Sequence, residues 1–336
     1  MSITDQITRL QNAKASIKAS IENKGVSVSD DTKLDGYSAL IDNIQTGGSG
    51  ETHVNPEFYE ARTQNSTIGD YLFAGTNIKN DDTSFKEMIE SLDTSKITSM
   101  QHMFDSSCYY MSNSTKDLDL SKWDVSKCKN FYYIFNSFGM ENLNISGWNF
   151  ASISSLSNFL GATYVKNLNM SNCDISHVTK LEDFAKTYGG AGLVTINLTG
   201  CDTSHITNMN GMFSNYNILT DIIGPLDLSN LTNGFCYSTY SRPIYNCKKL
   251  ETLYLKNIYK NCTMTNASKW SIDLSDTVVK DECLVYIINE LPDLVNDKGL
   301  TATDKIILTL PKTNTLTAEQ VKVATDKGWT VANTTY

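Results

Sequence analysis

No run of apolar residues in the chain approaches the roughly 18–20 needed to cross a bilayer, so membrane insertion is not expected. Eight cysteines, at 108, 128, 173, 201, 236, 247, 262 and 283, form no CxxC pair. A chain of 336 residues has no need of disulfide staples, and free, mostly buried thiols are the expectation. Basic charge is scarce. With 28 Lys and Arg against 37 Asp and Glu, the net charge is −9, the wrong sign for a protein whose main partner is nucleic acid. The opening residues, MSITDQITRLQNAK, place acidic and amide side chains where a secretory signal has an apolar core. The expectation is a protein that stays where it is made or leaves by a route that needs no signal. GxGxxG, GxxxxGK[ST], HExxH, GxSxG and the DxDxDG calcium loop do not occur, and with them go the phosphate-binding, zinc-protease and esterase signatures. Disorder is excluded too, because 40% of residues are apolar and 19% charged, which is the balance of a folded chain.

Repetition is what the chain has in place of motifs. LDLSKWDVSKCKNFYYIF (118–135), LNISGWNFASISSLSNFL (143–160), LNMSNCDISHVTKLEDFA (168–185) and INLTGCDTSHITNMNGMF (196–213) align without gaps, after a truncated copy LDTSKITSMQHMF (92–104). Successive starts are separated by 25, 25 and 28 residues, and weaker copies follow at LDLSN (226–230) and LYLKN (253–257). Each LxL[ST] alternates with the period of a strand and points two apolar side chains to one face. The next stretch has apolar residues three apart, as in Ile206, Met209 and Met212, the spacing of a short helix or 3₁₀ segment. An Asp or Asn followed two places on by Ser or Thr, as in Asp202 and Ser204, supplies oxygens that close turns. One such unit cannot bury its own apolar face, whereas stacked units build a continuous core. The predicted fold class is an α+β repeat: a leucine-rich-repeat-like solenoid with short parallel strands, an N-terminal helical segment and a helix–strand–helix C-terminal cap.

Repeat register also bears on a tempting metal site. Cys173, His177, Cys201 and His205 have ligand chemistry and matching spacings. In register, however, the cysteines share a column with Trp123 and Trp148, and the histidines share one with Lys96, Lys127 and Ser152. One column should face in and the other out, whereas a tetrahedral site needs four convergent ligands. No metal and no cofactor are expected.

The repeated core, with YNCKKLETLYL (245–255), resembles the BspA-like leucine-rich repeats of bacterial surface proteins and phage structural proteins. The resemblance covers about 92–275 and lapses over 231–246, where an irregular loop or insertion is expected. It implies a recognition or structural scaffold and carries no catalytic residues. Beyond it, residues 276–336 read as a capping region: a helical stripe through Val278, Cys283, Leu284, Ile287, Ile288 and Leu291 stopped at Pro292, a strand KIILTL, and a helix from Thr317 to Gly328. That ending, LTAEQVKVATDKGWTV, looks like the caps of phage tail and fibre proteins. Residues 46–91 form a linker, TGGSGE, and an N-terminal cap leading to the helix SFKEMIESL (84–92). In residues 1–45, Ile3, Ile7, Leu10, Ile17 and Ile21 form one helical seam, and Leu34, Tyr37, Leu40, Ile41 and Ile44 a second stripe. Helices this short cannot bury such stripes alone, so this segment is expected to pair with copies of itself, as dimer or trimer, or with a partner. It resembles the N-terminal portions of phage tail-fibre and baseplate-associated proteins.

Aromatic residues point outward. In NFYYIF, Phe131 and Ile134 take the inward spacing and leave Tyr132 and Tyr133 exposed; Tyr237 and Tyr240 lie in the irregular stretch. Exposed tyrosines offer rigid amphipathic contact area and stack on sugar faces. These four are the recognition candidates, with a host-surface glycan or protein as ligand. The function expected is therefore non-enzymatic: a phage virion structural or adhesion protein of fibre or tail type, assembled in the host cytoplasm and attached to other virion proteins through its N-terminal helices. The alternative is a bacterial cell-surface leucine-rich-repeat adhesin. A glycan depolymerase would need convergent carboxylates, and none is visible in the sequence.

Overall fold

The computed structural model divides into two units, Met1–Asn55 and Pro56–Tyr336. It describes residues 66–335 apart from 77, 79–82, 109–115, 186–191, 233–234, 236–241, 265–266 and 302–303, together with Lys14, Lys18 and Ser29. The seam and stripe residues of 1–45 (Ile3, Ile7, Leu10, Ile17, Ile21, Leu34, Tyr37, Leu40, Ile41 and Ile44) lie outside the described residues.

The second unit is a repeat solenoid of short parallel strands. Strands β1 (Asp117–Asp119), β2 (Asn142–Asn144), β3 (Asn167–Asn169), β4 (Thr195–Asn197) and β5 (Asp221–Ile223) form one five-stranded sheet in sequence order. All neighbours are parallel, and Leu118, Leu143, Leu168, Ile196 and Ile222 stand side by side. Each central residue is buried, while its flanking residues face outward or partly so. The register predicted from the LxL columns is thus the observed one through Ile196.

At the fifth rung the sequence alignment slips. The strand position is taken by Asp221–Ile223, and LDLSN (226–230) sits further round the coil. There Asp227 accepts from the Ser229 N–H at 2.9 Å, and the Thr203 hydroxyl receives the Asp227 N–H at 2.6 Å. LDLSN thus plays the part that CDTSH plays one coil earlier. Its Leu226–Asp227 (β6) pairs with Leu255–Lys256 (β7). Gly224 permits the bend between β5 and β6. Its φ is +98°, and a Cβ there would lie 2.8 Å from the Thr199 nitrogen, a contact with backbone that cannot yield.

Between strands the structure departs from the expected short helices. The apolar pairs three apart close β-turns: the Met103, Ile134, Phe184 and Met212 N–H groups donate to the Met100, Phe131, Leu181 and Met209 carbonyls at 3.1–3.2 Å. The third residue of each turn is left-handed, with φ of 52° at His102, 53° at Tyr133, 52° at Asp183 and 65° at Gly211. Apolar residues three apart meet across a β-turn as well as across a helical turn, so spacing alone does not separate the two. A positive φ at the third position belongs to a type II turn and breaks a helix. Consecutive turns stack through main-chain bonds, as in His102 N–H to Tyr132 O (3.0 Å) and Asp183 N–H to Asn210 O (2.8 Å).

The same bonding reaches back into the stretch read as linker and cap. Gly69, Tyr71 and Phe73 donate to the Ser99, Gln101 and Met103 carbonyls at 2.8–3.1 Å, so residues 66–76 already stack on the coil that follows. Helix α1 (Thr83–Glu90) buries Phe85, Met88 and Ile89 and lies against β1, whose Asp119 N–H donates to Glu90 Oε1 at 2.9 Å. A sheet edge left open would invite pairing with another chain.

The column of Trp123, Trp148, Cys173 and Cys201 is inward-facing, with the first three buried and Cys201 partly buried. It is more than apolar. Trp123 and Trp148 Nε1 donate to Ile89 O and Leu120 O at 2.8 and 2.7 Å, and the Cys173 and Cys201 thiols donate to Ile145 O and Met170 O at 3.2 and 3.0 Å. Every member stitches its coil to a carbonyl of the preceding layer. His177 and His205, with Lys96, Lys127 and Ser152, are exposed. The cysteine and histidine columns therefore diverge, and no group of three His, Cys, Asp or Glu that could hold a metal occurs among the described residues. Cys128, Cys173, Cys201, Cys247, Cys262 and Cys283 are free thiols. Burial pushes the Cys128 and Cys247 thiols up to about 12.

The C-terminal region carries α2 (Asp281–Glu290), β9 (Ile307–Thr309) and α3 (Ala318–Asp326), and adds β10 (Thr330–Ala332). Strand β9 lies between β10 and β8 (Ile272–Asp273), all parallel. Helix α3 opens on a capping box in which Thr317 and Gln320 satisfy each other's backbone N–H groups.

Asp93, Asp124, Asp174 and Asp202 each accept from the backbone N–H of a serine two residues on, at 2.9–3.1 Å. Bonds from the serine hydroxyl and then from its N–H hold all four carboxyls below the ordinary 3.8. Carboxyls depressed on folding stabilise the fold above their unfolded pKa and lose that contribution as pH falls through the folded one. Thermal melting followed by circular dichroism should therefore be flat from neutral pH to about 5 and drop below 3.8. Asp174→Asn should keep the turn, as Asn149 does with its 2.8 Å bond, while weakening that drop. A second measurement addresses the tryptophan column. Trp148→Phe removes the indole bond to the Leu120 carbonyl, which keeps the Trp123 N–H at 3.0 Å, and should cost about 0.5–1.5 kcal/mol in urea unfolding.

Candidate functional site

Left-handed backbone at the third turn position suits glycine, and asparagine or aspartate tolerate it better than other side chains do. Asn158, Asp183 and Gly211 fill it in three of the coils. In the three coils before them the occupants are Tyr71, His102 and Tyr133, with φ of 56°, 52° and 53°. A bulky side chain held there costs on the order of 1–3 kcal/mol, and such positions concentrate at functional sites. Three in successive coils form a column of aromatic rings along one corner of the solenoid.

The rings are ordered against one another. Tyr71 and His102 stack at 4.9 Å with planes 4° apart, and His102 meets Tyr133 at 5.5 Å and the edge of Tyr132 at 5.9 Å. Tyr132 and Tyr133 lie 4.3 Å apart. Tyr71 is 56% exposed and Tyr132 44%, which places them among the most exposed large apolar side chains of the described residues. Polar groups beside the rings are fixed in place. His102 Nδ1–H donates to Asp105 Oδ2 at 2.6 Å, and Asn136 Nδ2 donates to the other oxygen of that carboxylate at 3.0 Å. Asn130 Nδ2 donates to Gln101 Oε1 at 3.0 Å, and Asp70 Oδ1 receives the Ser99 hydroxyl and the Gln101 N–H. Rigid ring faces bordered by oriented amides and carboxylates match a ligand with an apolar face and hydroxyl edges.

Of the recognition candidates, Tyr132 is exposed and Tyr133 half-buried beside it; Tyr237 and Tyr240 lie outside the described residues. Tyr71 and His102 were missed. His102 read as one more repeat position and Tyr71 as part of the connector. The signal was present in GDYLFAG (69–75), which aligns with MQHMFDS (100–106) and FYYIFNS (131–137). That alignment carries the aromatic column one coil upstream.

The profile of a family described as Mycoplasma protein of unknown function, DUF285, matches residues 70–191 and 182–278, more than half of the chain. No curated protein and no solved structure matches it.

Proposed function

Because the chain belongs to the DUF285 family, whose BspA-like repeats build the solenoid described above, we propose that it is a non-enzymatic surface recognition and adhesion protein. The observation that carries this reading is the aromatic column of Tyr71, His102 and Tyr133 with Tyr132 beside it, the first three maintained at backbone positions where neighbouring coils use asparagine, aspartate or glycine. A structural scaffold gains nothing from that arrangement, whereas a binding face gains pre-ordered contact area. The ligand class is a host-surface glycan or a protein presenting a comparable amphipathic edge.

In the finer version of this reading the surface is that of a phage particle. Residues 1–45 would join the chain to other virion proteins and to its own copies, and several weak solenoid contacts would then add through high effective concentration. The resemblance of the N-terminal segment and the C-terminal region to phage fibre proteins supports it. A cell-surface adhesin is the second reading, and the description of the family as a Mycoplasma protein favours it.

Tyr71→Asn with His102→Asn puts a tolerated residue at both strained positions. Adhesion to host cells or immobilised surface glycans should fall about tenfold or more while the thermal midpoint stays level or rises. Unchanged adhesion would remove the aromatic column from the proposal. Deleting residues 1–45 should leave a folded, monomeric solenoid by light scattering that no longer co-sediments with particles. Normal incorporation of the truncated chain would dismiss the anchoring role.

A further inference from the structure

A different stretch of each coil carries a second regular surface. The outward residues of β1–β4 form two polar columns, Asp117, Asn142, Asn167 and Thr195 in one and Asp119, Asn144, Asn169 and Asn197 in the other, the second ending at Ile223 of β5. They floor a groove of about 320 Å³, bordered at one end by Lys86 and Glu90 of α1. Each column is internally bonded and polarised. Asn142 donates to Asp117, Asn167 to Asn142 at 2.6 Å, and the Thr195 hydroxyl to Asn167 at 2.8 Å. Asn144 and Asn169 donate to Asp119 and Asn144 at 2.9 and 3.0 Å.

We propose that this groove binds an extended, uncharged, β-linked polysaccharide lying along the solenoid axis. A side-chain amide has two N–H donors, and Asn142, Asn144, Asn167 and Asn169 each spend one on the neighbour nearer the N-terminus. The second is left to a ligand on both sides of the two central rungs, β2 and β3. Rungs repeat at the strand spacing, about 4.8 Å, and an extended β-linked pyranose chain advances by nearly the same distance per ring. A ring can therefore meet one rung after another without losing register. Charge points the same way. From Asn142 to Asn197 the floor holds amides and a hydroxyl and carries no net charge, while the carboxylates of Asp117 and Asp119 gather at the α1 end, where Glu90 is paired with Lys86 at 2.7 Å. That end repels a polyanion, and the neutral floor offers a polycation no counter-charge. The locked amides are also pre-oriented, so little rotamer freedom is lost on binding.

Isothermal titration of the full chain with cello-, chito- and manno-oligosaccharides of two to eight rings tests this site. At least one series should bind, its affinity rising with length to about four rings, the number of strands that line the groove, and levelling beyond. Asn167→Asp with Asn169→Asp removes the donors to Asn142 and Asn144, so the thermal midpoint should fall, and at a temperature where circular dichroism shows the variant still folded the binding should be about tenfold or more weaker. No binding in any series, or affinity independent of length, overturns the proposal without touching the aromatic column. Binding that survives the Asp pair and disappears in Tyr71→Asn also overturns it, and assigns the saccharide to the corner instead. Concentration-dependent dimerisation abolished by the Asp pair would show that the face meets a second copy of the chain, and overturns it equally.

Discussion

Everything in the solenoid rests on one constraint: a coil of about 25 residues is held in place by its neighbours, because its own turns cannot bury an apolar face. Main-chain bonds between layers do much of this. The Leu120 N–H donates to Asn144 O, Ile145 to Asn169, Met170 to Asn197 and Leu198 to Ile223, all at 2.7–2.9 Å. Because parallel stacking places like positions together, each column can then specialise. One holds the aliphatic row from Leu118 to Ile222, and another stacks Phe73, Phe104 and Phe135 at 5.0 and 5.6 Å.

The tryptophan–cysteine column shows how a column's chemistry is conserved through a change of residue. Trp123 and Trp148 stack at 6.2 Å with planes 6° apart, and both donate backward to a carbonyl. Cys173 and Cys201 are far smaller, yet their thiols reach the equivalent carbonyls. A free cysteine is a small hydrophobe with a weak donor, which is what the position asks for once the neighbouring layers close in. Cys173 reads as structure: the hydrogen bond with the Cys201 thiol and burial push it up, away from nucleophilic reactivity, while that same hydrogen bond lowers Cys201.

The outward columns are where function has room. A core position is constrained by packing on all sides, while an outward position is repeated at fixed spacing with little to restrict its chemistry. The two columns singled out differ in how they are built. The corner holds large rings in a backbone conformation that resists them, and the groove floor holds small amides in a conformation that any residue adopts. Both present rigid groups, the first through ring stacking and the second through side-chain ladders.

Periodicity in the sequence was sufficient to place the LxL strands, their parallel register through Ile196, the Asx turns at Asp124, Asp174 and Asp202, the inward tryptophan–cysteine column with its outward histidine neighbour, and the helices after Thr83 and Thr317. Each of these follows from local spacing and side-chain type, which repeat whenever the coil repeats. Other features needed the folded chain. Apolar residues three apart fit a helix and a β-turn equally, and only the stacked layers, which take up the turn's outward amides, select the turn. The rung at Asp221–Ile223 displaced LDLSN because pairing with β4 and the bend at Gly224 decide register there, not the likeness of the letters. The aromatic corner and the amide floor each depend on residues some 25–31 positions apart meeting across layers, a proximity that no single stretch of sequence contains.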